Sequence, residues 1–261
     1  MRWGHRKWTG FGVLSRTRGK KSGRPETEQT GTFWRVTVLE TATRLRCARF
    51  FGKNEQQATE AALSLLAARS AMAAPPPLTS DGHNGCGEAM TEVWGEVPAY
   101  KGRGRHPKHK QASEGWQHLK VIKNRGEKEA TAFCEKKVVF GNPDEVTALL
   151  GKGTVYLERS HLTMRNFDSR IARKGLGTSK KLDMHLFAAA WEDAFYNLCH
   201  TVRTLKRPLS PTEGLPKSPK FVKIWEHRTP MMAAQITHHI WTVKELFYTL
   251  PINPKNQLFN G

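Results

Sequence analysis

The chain has 261 residues and carries 42 Lys and Arg against 23 Asp and Glu, a formal net charge of +19. Hydrophobic residues make up 38%, enough for one sizeable core and too many for a chain disordered along its whole length. No window approaches ~18 uninterrupted apolar residues, which argues against a helical membrane span, and no apolar stretch of a secretory signal follows the basic N-terminus.

Between Met1 and Arg24 there are eight Lys or Arg and no acid, so residues 1–30 are expected to be a basic, poorly ordered arm. Order is predicted from Phe33: residues 33–39 alternate and are β-branched, and 45–51 read as the second strand of a hairpin. Asn54 is a good cap for a helix whose apolar face is Ala58, Ala61, Ala62, Leu65, Leu66 and Ala68, ended by Pro75-Pro76-Pro77. Leu78-Thr79-Ser80 reads as a short buried strand, 84–94 as a helix, and 99–115 as a Gly/Pro/Lys/Arg loop. Two further strands, 116–123 and 130–140, flank turn residues Asn124 to Glu127. Pro143 opens a short helix. Residues 154–157 read as a last strand or the lead-in to a helix over 158–174. A longer helix is predicted from Thr178 or Ser179 to about Leu205. Pro208, Pro211, Pro216 and Pro219 then mark a linker. The expected class is α/β: a mixed sheet flanked by helices. Its core spans 31–206 with a basic loop and hairpin insert at about 95–140, followed by a linker at 207–228 and a small helical tail at 229–261.

Such a charge surplus predicts attraction to polyanions, chiefly nucleic acid, through counterion release. Lys101, Arg103, Arg105, Lys108 and Lys110 in the loop, and Arg159, Arg165, Arg170, Arg173 and Lys174 on the later helix, are the candidates to track phosphates. The loop residues read equally as part of a solvated face, whereas Arg159 and Arg165, close to Glu158, read better as contacts to the substrate backbone or as orienting the carboxylate. Cys47, Cys86, Cys134 and Cys199 form no C-x-x-C pair, which fits a reduced cytosol better than a zinc site or disulfide framework. Asp81 follows a buried strand and precedes Gly82, where open α/β sheets place ligands; it also reads as a turn aspartate or helix cap. Glu158 opens a helix, where an acid is favourable for the dipole alone. Trp34, Trp116 and Trp191 are expected in the core, and His238 and His239 on the surface.

Several segments in one order resemble a known family. Tyr156-Leu157-Glu158-Arg159-Ser160-His161-Leu162-Thr163-Met164-Arg165 resembles the signature V-E-R-x-N-L-T-x-R of bacterial insertion-sequence DDE transposases, the insertion-sequence-one type. Thr79-Ser80-Asp81-Gly82-His83 is similar to its T-[TS]-D-G-H, and Val138-Val139-Phe140-Gly141 to its V-V-F-G. Residues 31–34 and 43–45 look like its strand hairpin, 173–181 like R-K-T-x-x-F-S-K-K, and 196–200 like Y-N-F-x-R. Residues 228–246 look like R-T-P-A-M-A-A followed by D-H-x-W-T-L-E-E-L. The resemblance covers about residues 31–250.

It implies a ribonuclease-H-like core in which three carboxylates hold two divalent ions, Mg²⁺ or Mn²⁺, that serve the attacking and leaving oxygens of phosphodiester cleavage. It assigns Asp81 as the second acid and Glu158 as the third, with double-stranded DNA, transposon ends and target, as the partner. A homodimer holding two ends and a bacterial cytoplasmic, nucleoid-associated location are the matching expectations. The family's first acid lies in a D-E-x-W-x-F-V strand before a K-K turn. Here Gly19-Lys20-Lys21 matches the turn, but residues 11–18 contain no acid. A truncated or degenerate reading frame is the favoured explanation, and Glu40, the only nearby acid in an ordered strand, is the substitute candidate. The rival functions are a non-catalytic DNA-binding protein on the same scaffold and a basic RNA-binding protein.

Overall fold

The computed structural model describes residues 11–18, 33–70, 72–82, 85–102, 104–124, 133–171, 181–209 and 225–249. The chain folds as two units, Met1–Leu186 and Phe187–Gly261.

The first unit is built on a mixed sheet of six strands. They are β1 (Phe11–Arg18), β2 (Phe33–Glu40), β3 (Arg46–Gly52), β4 (Leu78–Ser80), β5 (His118–Asn124) and β6 (Phe133–Phe140), in the spatial order β3-β2-β1-β4-β5-β6. β2 runs antiparallel to both β1 and β3, β4 and β5 run parallel to β1, and β6 returns antiparallel at the far edge. β3, β1, β4 and β5 therefore all point their carboxyl ends the same way.

Two helices cover one face. α1 (Glu55–Ser70) starts at the carboxyl end of β3, with the Asn54 side chain accepting from the Gln56 N–H at 2.8 Å. Ala58, Ala62, Leu63 and Leu66 bury against β2 and β3, and α1 packs on α2 (Cys86–Trp94). A side chain at Gly87 of α2 would meet Val139 at 3.2 Å and the His118 ring at 3.8 Å, so glycine lets this helix lie close on β5 and β6. The other face carries α3 (Pro143–Leu150), whose Val146 and Leu150 pack on Leu119, and α4 (Val155–Phe167), which packs on β1. His118 and Leu119 are consecutive in β5 and so point to opposite faces. That alternation sorts the helices.

In the second unit lie the later part of α5 (Leu182–Leu198), a two-stranded ladder of β7 (Arg207–Pro208) and β8 (Trp225–Glu226), and the short helices α6 (Pro230–Ala233) and α7 (Val243–Thr249). Thr229 caps α6 by accepting from the Met232 N–H, and Glu245 returns to the Thr242 N–H at 2.6 Å, a capping box for α7.

Four sequence expectations change. Residues 11–18, assigned to a loose arm, form a central strand paired over eight positions with β2; inter-strand backbone bonds, which leave little local pattern, organise them. The segment from 95 to 140 is not one insert: β5 and β6 belong to the main sheet, and only the loop 96–111 stands outside it, closed by a bridge between Glu96 and Gln111. The long helix ends at Leu198 rather than Leu205, because Val202 leaves it to bond the Arg228 carbonyl at 3.1 Å. Both ends of the linker at 207–228 are folded, Arg207 and Pro208 pairing with Trp225 and Glu226. Thr178 and Ser179, the expected cap of the long helix, lie outside the described residues.

Candidate functional site at the carboxyl end of the sheet

Asp81 follows β4 directly. The register Ser80–Lys120, carried one residue on, sets it level with Val121. A Cβ at Gly82 would lie 3.9 Å from the Ile122 Cα, so the chain still runs beside β5 there. On the other side β1 pairs Val13 with Ser80, and the position level with Asp81 is Leu14. No carboxylate occurs anywhere in β1.

Glu158 lies in the first turn of α4. Its Oε1 accepts from Thr154 Oγ1 at 2.8 Å and forms an ion pair with the Lys123 ammonium. Lys123 is two residues beyond Val121, about 6.6 Å further along β5. Asp81 and the Glu158–Lys123 pair therefore both stand toward the carboxyl ends of β4 and β5.

A third carboxylate at this end is Glu55, the first residue of α1. Partial burial, and then the charge of Asp81, raise its pKa to about 7. The sequence reading missed it, because an acid in a first turn is already explained by the helix dipole. Nothing local to Glu55 points to Asp81; only the return of the chain from β3 across α1 to β4 brings the two near.

Glu40 lies elsewhere. It is the last residue of β2, is level with Phe11 and through it with Leu78, and sits three residues short of Asp81 and two strands away. That is about 14 Å between Cα atoms from ordinary strand rise and spacing. Glu40 is buried and accepts a hydrogen bond from the Thr43 hydroxyl. Its role is to close the β2–β3 turn, and the assignment as a substitute metal ligand is withdrawn.

The basic candidates divide. Lys101, Arg105 and Lys108 are exposed on the 96–111 loop, where Tyr100 stacks on His106 at 3.9 Å and Gly102 and Gly104 adopt positive φ. Lys110 is taken by Glu92 at 2.9 Å. Arg159 is exposed on α4, whereas Arg165 is half-buried. Arg170 donates to the Met184 carbonyl at 3.2 Å. Arg103, Arg173 and Lys174 lie outside the described residues. Trp116 is buried as expected, but Trp191 is 36% exposed and meets the Phe247 ring in a tilted contact with centroids 4.6 Å apart.

Next to β4 lies a buried polar trio that imitates a nucleophile with its base. Ser80 Oγ and His118 Nε2 are 2.9 Å apart, with Cys86 beside Ser80. Burial, and then the Lys120 charge, lower the His118 pKa to about 4, and burial pushes the Cys86 thiol up to about 12. A closed neutral thiol and a closed neutral imidazole are core, not catalyst.

Among the described residues no group of three or more His, Cys, Asp and Glu is placed to hold a metal ion, and no helix is long and apolar enough to cross a membrane. No family model, curated protein or solved structure matches the chain.

Proposed function

We propose that the chain is a DNA transposase of the insertion-sequence type, or a descendant of one, with a ribonuclease-H-like core that binds duplex DNA across the carboxyl end of its sheet. The supporting observation is that Asp81 and Glu158, which are 77 residues apart in sequence, stand at the same end of a mixed sheet flanked by helices. The order of motifs resembling the family and the net charge of +19 point the same way.

The donor set suits one hard cation better than two. Asp81 and Glu158 would hold a Mg²⁺ or Mn²⁺ ion that keeps several waters and takes a phosphate oxygen as a further ligand. When bound, such an ion neutralises charge on the phosphate and acidifies a water. Lys123 orients Glu158 and adds a positive charge beside it, Glu55 raises the negative potential at Asp81, and the exposed Lys101, Arg105, Lys108 and Arg159 attract the DNA backbone. Without a carboxylate in β1 a second ion has too few ligands, so cleavage is weak or lost while binding remains. The non-catalytic reading is favoured by one observation, the Lys123 ammonium already paired with Glu158. A homodimer holding two DNA ends belongs to the transposase reading.

The test is nicking of a supercoiled plasmid in MgCl₂ or MnCl₂ by the wild type, Asp81→Ala, Glu158→Ala and Leu14→Asp, beside duplex DNA binding with RNA as competitor. Metal-dependent nicking lost in both alanine variants supports the site, as does nicking gained only in Leu14→Asp. Equal nicking in both alanine variants refutes it. Duplex binding without nicking in any variant leaves the non-catalytic protein. Preference for RNA overturns the DNA reading.

A further inference from the structure

At the β2–β3 turn and the start of α4, an arrangement of cations has no role in the site above. Arg44 lies in the turn between β2 and β3, and its guanidinium carbon stands 3.3 Å from the centre of the Tyr156 ring. The Lys152 ammonium lies 5.8 Å from the same centre, and Lys152 first and then Arg44 hold the Tyr156 phenol below its ordinary pKa. Tyr156 and Glu158 are two residues apart on a helix, about 200° around its axis, so they leave it on opposite sides.

Three properties mark this as a built arrangement. Among the described residues neither Arg44 nor Lys152 has a carboxylate partner, so two positive charges meet at one ring without neutralisation. Arg44 has a φ of +60°, a left-handed backbone that a bulky side chain rarely adopts and that persists only when its surroundings hold it. The Arg44 guanidinium over the ring carries more N–H donors than one aromatic partner can take, and their planar fork suits an oxyanion bound through two parallel bonds. The first N–H groups of α4, at Val155 to Leu157, precede the first helical bond from Glu158 to Thr154 and add partial positive charge nearby.

We infer that Arg44, Lys152 and Tyr156 form a binding site for one phosphodiester group of a nucleic-acid backbone, with Arg44 as the bidentate donor, Lys152 as the point charge and the Tyr156 ring and hydroxyl holding both in place. The inference rests on the reading of the protein as one that binds DNA, and not on cleavage. It adds a contact on the β2–β3 turn side of α4, away from the 96–111 loop, so a duplex would be held at two separated places.

The experiment is fluorescence anisotropy of a labelled duplex with the full chain across a series of salt concentrations. The variants are Arg44→Lys, Tyr156→Phe and the pair Arg44→Asn/Lys152→Gln, with Lys137→Gln/Lys244→Gln as a control that loses the same charge elsewhere. Arg44→Lys is expected to weaken binding several-fold at unchanged net charge, Tyr156→Phe to weaken it less, and the double variant to lower the salt slope by about 0.9 per phosphate released, more than the control does. Asparagine tolerates the left-handed backbone at position 44, and circular dichroism confirms that each variant folds. If the wild type binds duplex and these variants match the control, the site is wrong. If the wild type does not bind duplex at all, the DNA reading fails and the inference goes with it.

Discussion

At the residue scale the informative group is Glu55. Its carboxyl is partly buried at the start of α1 near Asp81, and its pKa rises from an ordinary 4.5 to about 7. An acid whose folded pKa is raised favours the fold when protonated. Stability is therefore fully present below about pH 4.5 and declines as pH rises through 7. Glu55→Gln should accordingly stabilise the protein at pH 8, by on the order of 1 kcal/mol after discounting for solvent screening, and change little at pH 4. Urea melts at the two pH values read this directly, and a variant less stable at pH 8 than the wild type would show that the charged Glu55 carboxylate is not disfavoured in the fold. Asp81 and Glu158 could be singled out from short motifs. Glu55 could not, since its significance is a distance across the fold rather than a neighbourhood in sequence.

Among the elements, those with a local signature were readable. Asn54 caps α1 as expected, accepting from the Gln56 N–H at 2.8 Å, and α3 opens at Pro143 as expected, with Asn142 accepting from the Asp144 N–H at 3.0 Å. β2, β3 and β4 were readable from runs of residues that are buried in the fold. β1 was not, because a strand between two others is specified by its partners, and its basic neighbours in sequence resemble a tail. The junction of β6 and α3 shows how tightly one element can depend on one residue. Gly141 has a φ of +96°, and a Cβ there would lie 2.8 Å from both the Trp116 carbonyl oxygen and a Val146 methyl. Gly141→Ala should destabilise the protein by about 1–3 kcal/mol, visible as a lower urea midpoint. An unchanged midpoint would mean that the turn rearranges freely.

For the molecule as a whole, net charge is the dominant property. Every basic residue assigned here to DNA lies in the unit Met1–Leu186. A duplex that binds only the folded form stabilises it by about 2.7 kcal/mol at a hundred times its dissociation constant, and added salt erodes that gain. Hydrogen exchange with and without duplex at low ionic strength should therefore show added protection in residues 96–111 and α4, fading as NaCl is raised. Protection confined to Phe187–Gly261 would place the interface in the other unit. The α/β class was legible from the alternation of strand and helix patterns. The division of the chain inside α5 was not, because a continuous helix carries no composition shift where its packing partners change.

One feature at the margin of the sheet bears on how the protein survives in concentrated solution. β6 is an outermost strand, and its Glu135, Lys136 and Lys137 are exposed. An open strand edge is a template on which another polypeptide can add itself, and lysines along it make that addition costly. Lys136 and Lys137 put positive charge on that open edge, where a second copy adding its own β6 would bring like charges together.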